Sequence, residues 1–116
     1  MNITAGLIAL CTATVLAFAG ETTTTVAVAG NCGSCKKRIV KAASSVGGVK
    51  AAAWDKKDKV LTITFDDATH GKDALVKDVT MAITKVGHDV DTTKAPTKAY
   101  ESLPDCCRYR DHASTH

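Results

Sequence analysis

The sequence predicts one small α+β domain. Three observations carry this reading: β-branched runs that alternate along the chain, two stretches of helical periodicity that each end on glycine, and a polar turn between two strand segments. Residues 22–28 are β-branched and alternating, with Val26 and Val28 on one face, and read as a strand. Residues 29–33 are a loop of small residues. From Ser34 the spacing turns helical, with Ile39, Ala43 and Val46 at i, i+4 and i+7, until Gly47-Gly48 stops it. Residues 49–54 and 59–65 are two further strands around the turn Asp55-Lys56-Lys57-Asp58, and Leu61, Ile63 and Phe65 alternate with Thr62 and Thr64. A second helix fits 72–86, where Leu75, Val79, Ala82 or Ile83, and Val86 make a stripe that Gly87 ends. Residues 90–92 are expected as a short last strand.

The resulting order, βαββαβ, predicts a ferredoxin-like sandwich: a four-stranded antiparallel sheet with two helices on one face. The chain of 116 residues has room for one compact module with a modest core. Residues 3–19 are almost all small or apolar, and Ala17-Phe18-Ala19 has the small-x-small pattern of a cleavage site, so 1–19 is the candidate leader. It reads as a signal peptide, and a periplasmic or otherwise exported protein is expected. The stretch is short for a membrane span and no stop-transfer charges follow it, so no permanent membrane anchor is expected. The domain proper is assigned to 20–93. Beyond it the composition shifts to Lys, Ala, Pro and Ser, and 94–116 reads as a C-terminal tail, loosely packed, that carries the vicinal pair Cys106-Cys107.

Cleavage after Ala19 leaves Cys32, Cys35, Cys106 and Cys107. Two close-set pairs make a poor disulfide framework, because neighbours in sequence close almost no loop; ligation or redox chemistry is the better use of them. Cys32 and Cys35 stand three positions apart where a strand gives way to a helix, so both sulfurs can face one point. Thiolates bind metal, and the helix N-terminus together with Lys36, Lys37 and Arg38 favours deprotonation. Soft sulfur ligands select Cu(I), Hg(II) or Zn(II) over hard ions, and Cu(I) suits a two-thiolate loop, whereas Zn(II) wants four ligands. An under-filled site also suits transfer, since an incoming thiolate can bind before the first two leave.

Residues Val28-Ala29-Gly30-Asn31-Cys32-Gly33-Ser34-Cys35-Lys36-Lys37-Arg38-Ile39, Gly47-Gly48-Val49, Trp54-Asp55 and Val86-Gly87-His88-Asp89-Val90 together resemble the heavy-metal-associated domain family over 22–93. That family comprises small copper chaperones, the metal-binding domains of copper-exporting ATPases, and the periplasmic mercury-binding protein. The tail, Tyr100 to Tyr109, is similar to that of exported members ending in Tyr-x-x-Leu-Pro-x-Cys-Cys-x-Tyr. The resemblance implies a metallochaperone or scavenger, no enzyme. It further implies metal held by Cys32 and Cys35, and handover by transient contact to a donor or acceptor protein such as an efflux pump or a metal-transporting ATPase domain. Members often carry Met before the first cysteine, where Gly30 and Asn31 stand here.

His88, in the loop that in this family lies beside the cysteines, is a candidate third ligand, or else a loop histidine with no metal contact. Cys106 and Cys107 are further candidates if the tail folds back, or they pair oxidatively instead. Lys36, Lys37, Arg38 and Lys41 form a basic helix face, solvated and able to steer an acidic partner. His112 and His116 read as solvated.

The chief rival is thiol-disulfide exchange through the same Cys32/Cys35 pair. Against it, the single Trp, Trp54, is not adjacent to the pair, and the two prolines, Pro96 and Pro104, lie in the tail. An RNA-recognition module shares the element order but needs sheet aromatics, and Phe65 and Trp54 are the candidates available; nucleic acid is not an expected partner. The formal charge of +3 demands neither nucleic acid nor membrane, and a monomer is expected.

Overall fold

The computed structural model describes residues 21–111. The leader at 1–19 and both His112 and His116 lie outside the described residues. Strand β1 (Glu21–Ala27) leads into helix α1 (Gly33–Ser44), followed by β2 (Val49–Asp55), β3 (Val60–Asp66) and helix α2 (Lys72–Lys85). A short helix α3 (Thr97–Glu101) and a 3-10 turn (Asp105–Cys107) complete the described residues. No helix among the described residues is long and apolar enough to cross a membrane.

The sheet is antiparallel with β3 central, in the order β1-β3-β2. Its register follows the alternation: Leu61, Ile63 and Phe65 turn inward and are buried, while Thr62 and Thr64 face the other way. A shift between Val49 and Ala51 keeps Trp54 opposite Leu61 and inside the core. The β2–β3 turn is closed by Asp55, whose carboxylate accepts from the backbone N–H groups of Lys57 and Asp58 at 2.8 Å each.

Among the described residues, the four-stranded sheet expected from the sequence has three strands. The segment at 90–92 contributes one bridge, Val28 opposite Val90, held by Ala29 N–H to Asp89 O and Asp91 N–H to Ala27 O, both short. Asp91 takes a left-handed backbone conformation (φ 51°), and Val90 and Thr93 then exchange backbone hydrogen bonds with each other. The chain therefore turns off β1 after one residue instead of extending along it.

Both helices contribute apolar stripes to one core. Cys35, Ile39, Ala42 and Ala43 of α1 and Leu75, Val79 and Ile83 of α2 are buried against Leu61, Ile63, Phe65 and Trp54. Each large side chain so buried contributes about 1.5–3 kcal/mol relative to exposure. Val86, expected to continue the α2 stripe, is exposed instead, because the helix ends at Lys85 and reverses. Gly87, at φ 108°, lets the N–H of His88 reach Ile83 O and its own N–H reach Thr84 O, a Schellman closure. That reversal carries His88 and Asp89 back towards β1.

The segment read as a loose tail is part of the core. Tyr100, Leu103 and Cys107 are buried within the same apolar cluster as the helices and sheet. Gly87 makes room for them: a Cβ there would lie 2.8 Å from Ala99 O and 2.9 Å from a methyl of Leu103.

Candidate metal centre

Cys32 sits in extended conformation as the N-cap of α1, and Cys35 lies three residues on, in the first turn. Residues at the N-cap and three positions later face each other in a helix start, which is why the two-residue spacing works. Their sulfurs are 3.3 Å apart. Below them, Gly30 lets the Trp54 ring approach, for a Cβ at that position would meet the indole at 3.0 Å and the Cys35 Cβ at 3.2 Å. The indole N–H donates to Val28 O at 3.0 Å, fixing the end of β1. Asn31 is fully buried and accepts from the Cys35 thiol at 3.4 Å. Gly30 and Asn31, which stand where relatives often have Met, thus support the loop from below through Trp54 and a side-chain amide.

The tail adds a third sulfur. Cys107 Sγ is 3.1 Å from Cys32 Sγ, and the sulfurs of Cys32, Cys35 and Cys107 all lie within 4.8 Å of one another. Cys107 is fully buried and accepts from a guanidinium N–H of Arg38 at 3.4 Å. Arg38, read as part of a solvated basic face with Lys36, Lys37 and Lys41, therefore turns one donor inward. Cys106 is exposed, with its sulfur 3.9 Å from that of Cys107. The four cysteines among the described residues, Cys32, Cys35, Cys106 and Cys107, form no disulfide.

The three buried sulfurs share protons unequally. Burial disfavours the Cys32 thiolate, but hydrogen bonds from the Cys107 thiol, the Cys35 backbone N–H and the Cys35 thiol outweigh this and bring its pKa down to about 7. Cys35 is raised, chiefly by burial, despite the opposing backbone hydrogen bond from Asn31. Cys107 is also raised, by burial and then by its role as donor to Cys35 and Cys32, with Arg38 opposing. One thiolate, at Cys32, is thus solvated by two thiols, and a thiophilic ion entering here displaces the remaining protons.

His88 stands outside this sulfur group. It is fully buried; its Nδ1–H donates to Ala29 O at 2.8 Å, so its lone pair is on Nε2, which has no hydrogen-bond partner. Its ring stacks on Tyr109 with centroids 5.4 Å apart. Burial, with the Arg38 charge adding to it, lowers its pKa to about 4, so the imidazole is neutral. Among the described residues, then, the structure brings Cys107 to the Cys32/Cys35 pair and leaves His88 and Cys106 beside it.

The tail is held down by Tyr100, Leu103 and Tyr109 of the tail motif and by Gly87 and Asp89 of the loop motif, none of which the sequence assigns to this task, together with Arg110, which stands outside both motifs. The Tyr109 hydroxyl donates to Gly87 O and accepts from Asp89 N–H, both at 2.8 Å. Asp89 accepts from Arg110 at 2.7 Å and from Ala95 N–H at 2.7 Å, which keeps its carboxyl below the usual range against the opposing effect of burial. The Arg110 guanidinium also lies over the Tyr100 ring, 4.3 Å from its centroid. The signal available in the sequence was the apolar spacing Tyr100, Leu103, Cys107, which marks a segment with something to bury.

Solved structures share this fold. CopZ metallochaperone superposes with a TM-score of 0.53 at 26% identity, over 60% of this chain and 98% of that one. Oxidized MerP from Ralstonia metallidurans CH34 gives 0.53 at 29% identity, over 61% and 94%. The structural neighbours of this chain are heavy-metal-associated domains. The N-terminal domain of a potential copper-translocating P-type ATPase from Bacillus subtilis, solved in the Cu(I)-loaded state, has the same fold at 24% identity (TM-score 0.52, 61% and 85%). No family model and no curated protein matches the sequence. These heavy-metal-associated neighbours cover about three-fifths of the chain, so the ligating potential of the tail is read from this structure alone.

Proposed function

We propose that this protein is a non-enzymatic carrier that binds Cu(I) between Cys32 and Cys35 and hands it, through transient contact, to an acceptor protein such as a metal-transporting ATPase domain or efflux pump. The observation that carries the reading is the pair of buried sulfurs 3.3 Å apart at the start of α1. Soft thiolates exclude Ca(II) and Mg(II) by hardness, and a sulfur-only set is short of the four ligands that Zn(II) prefers. The α1 N-terminus offsets the negative charge of a thiolate-bound monovalent ion. Lys36, Lys37 and Lys41 on the outer face of α1 supply positive charge beside the site, which favours fast encounters with an acidic surface. The small-x-small pattern ending at Ala19 supports export to the periplasm, where Cys32 and Cys35 must be kept reduced to work. Among the neighbours, a metallochaperone and a Cu(I)-loaded ATPase domain support the same cargo class.

The test is a competition titration of reduced protein with Cu(I), Hg(II) and Zn(II), run in parallel on Cys32→Ser and Cys35→Ser. Cu(I) or Hg(II) is expected to bind tightly, Zn(II) weakly, and either substitution to abolish tight binding. Unchanged Cu(I) affinity in both variants, or turnover of disulfide substrates that depends on Cys32, would replace this reading with a structural or thiol-exchange role.

A further inference from the structure

We propose that the segment carrying Cys107 is a thiolate-bearing lid, which when closed gives the cargo ion a third sulfur and when open presents a two-sulfur ion to the incoming donor. This rests on the reading of Cys32 and Cys35 as cargo ligands and adds how the ion is retained and released.

Four observations carry it. First, the spacing fits three sulfurs better than two. With metal–sulfur bonds of about 2.3 Å, three sulfurs in a plane around one ion stand about 4.0 Å apart, whereas two on opposite sides stand about 4.6 Å apart. The observed separations are 3.1 Å for Cys32 to Cys107 and 3.3 Å for Cys32 to Cys35. The trio must spread by less than about 1 Å to receive an ion, while the pair alone must open further and push Cys107 aside.

Second, the third sulfur has its own counter-charge. Arg38 donates to Cys107 Sγ at 3.4 Å, so a Cu(I) ion with three thiolates, formally −2, is partly neutralised by a guanidinium already in place. A two-sulfur site would have no use for a cation at that point.

Third, with the lid closed an incoming sulfur has no approach, because Cys32, Cys35 and Cys107 are all buried. Fourth, the parts differ in how they are held. Cys32 and Cys35 belong to the first turn of a twelve-residue helix rooted in the core. Cys107 belongs to a three-residue turn and is tied down by Tyr109, by Asp89 with Arg110, and by Tyr100 and Leu103. Those ties are side-chain contacts and turn hydrogen bonds, none of them a strand pairing, so the lid can lift while the sheet ladder stays intact.

Release is then a ligand exchange with no electron transfer. The bond from Cys107 to the ion breaks as an acceptor thiol gives up its proton and bonds as thiolate; Cys107 takes up that proton, and Cys32 and Cys35 are then displaced in the same way by further acceptor sulfurs.

The experiment uses the reduced full chain loaded with Cu(I), with X-ray absorption to count sulfur ligands and stopped-flow transfer to excess dithiothreitol to measure release. Wild type is expected to show three sulfurs. Cys107→Ser should show two and release copper at least about tenfold faster, since exchange barriers are read mainly in dissociation rates. Arg110→Gln loosens the lid without touching a sulfur, and should keep three sulfurs while releasing faster. Two sulfurs in wild type, or release by Cys107→Ser within about twofold of wild type, overturns the lid. Should Cys107→Ser not fold, the wild-type sulfur count and the Arg110→Gln release rate decide. Cys32→Ser separates the two claims: if it loses Cu(I) while wild type shows two sulfurs, the lid alone falls, and if it retains full affinity, the proposed cargo site falls as well.

Discussion

Acidification should weaken the metal-free fold through His88, by an amount set by its burial. The imidazole is fully enclosed, donates through Nδ1 to Ala29 O, and has a pKa near 4 against an ordinary value of 6.5. Above pH 6.5 the ring is neutral in folded and unfolded chains alike, and its contribution to stability is complete. As pH falls from 6.5 towards 4 the unfolded chain takes up a proton that the folded one refuses, so stability drops; below about 4 the folded state also protonates and the loss levels off. A gap of about 2.5 pH units corresponds to about 3 kcal/mol. The perturbation is a change from pH 7 to pH 4 in reduced, metal-free protein, measured by urea unfolding of wild type and His88→Gln. Other carboxylates titrate in both proteins and cancel in the difference. Wild type should lose about 3 kcal/mol more than the variant over that range, a difference of roughly 1–3 M in urea midpoint. Parallel pH profiles for the two proteins would show that the ring is not held neutral by burial, and the reasoning would fail.

Two further outcomes follow from the same geometry. Gly87→Ala places a methyl at φ 108° against Ala99 O and Leu103, so it should cost about 1–3 kcal/mol and raise hydrogen exchange at residues 97–109 before the sheet; uniform exchange across the domain would contradict this. In metal-free protein the Cys32 thiolate should form with a midpoint near pH 7, seen as ultraviolet thiolate absorbance that Cys32→Ser removes; absorbance appearing only near pH 9, the ordinary thiol value, would show that the neighbouring thiols do not stabilise it.

The site was partly legible in the chain because its core is local. Cys32 and Cys35 are three residues apart at a strand-to-helix junction, and any helix beginning there brings the two sulfurs together. The rest was not legible for a physical reason. Bringing Cys107 to Cys32 spans 75 residues of chain, and nothing in the spacing of the tail says where it lands. The landing depends on the reversal at Gly87, the anchors Tyr100 and Leu103, and the hydroxyl of Tyr109 against Gly87 and Asp89. Equally, the exclusion of His88 from the sulfurs is fixed by one hydrogen bond to Ala29 across the sheet edge.

The sequence by itself determined the alternation of β3, the stripes of α1 and α2, the hairpin turn and the Cys32/Cys35 pair, since each is set by neighbours within a few positions. Tertiary packing alone decided that residues 90–92 form a single bridge, because the left-handed turn at Asp91 leads the chain into the tail. It alone decided that this tail closes over the pair, because burying Tyr100, Leu103 and Cys107 requires a surface that exists only once both helices have docked on the sheet.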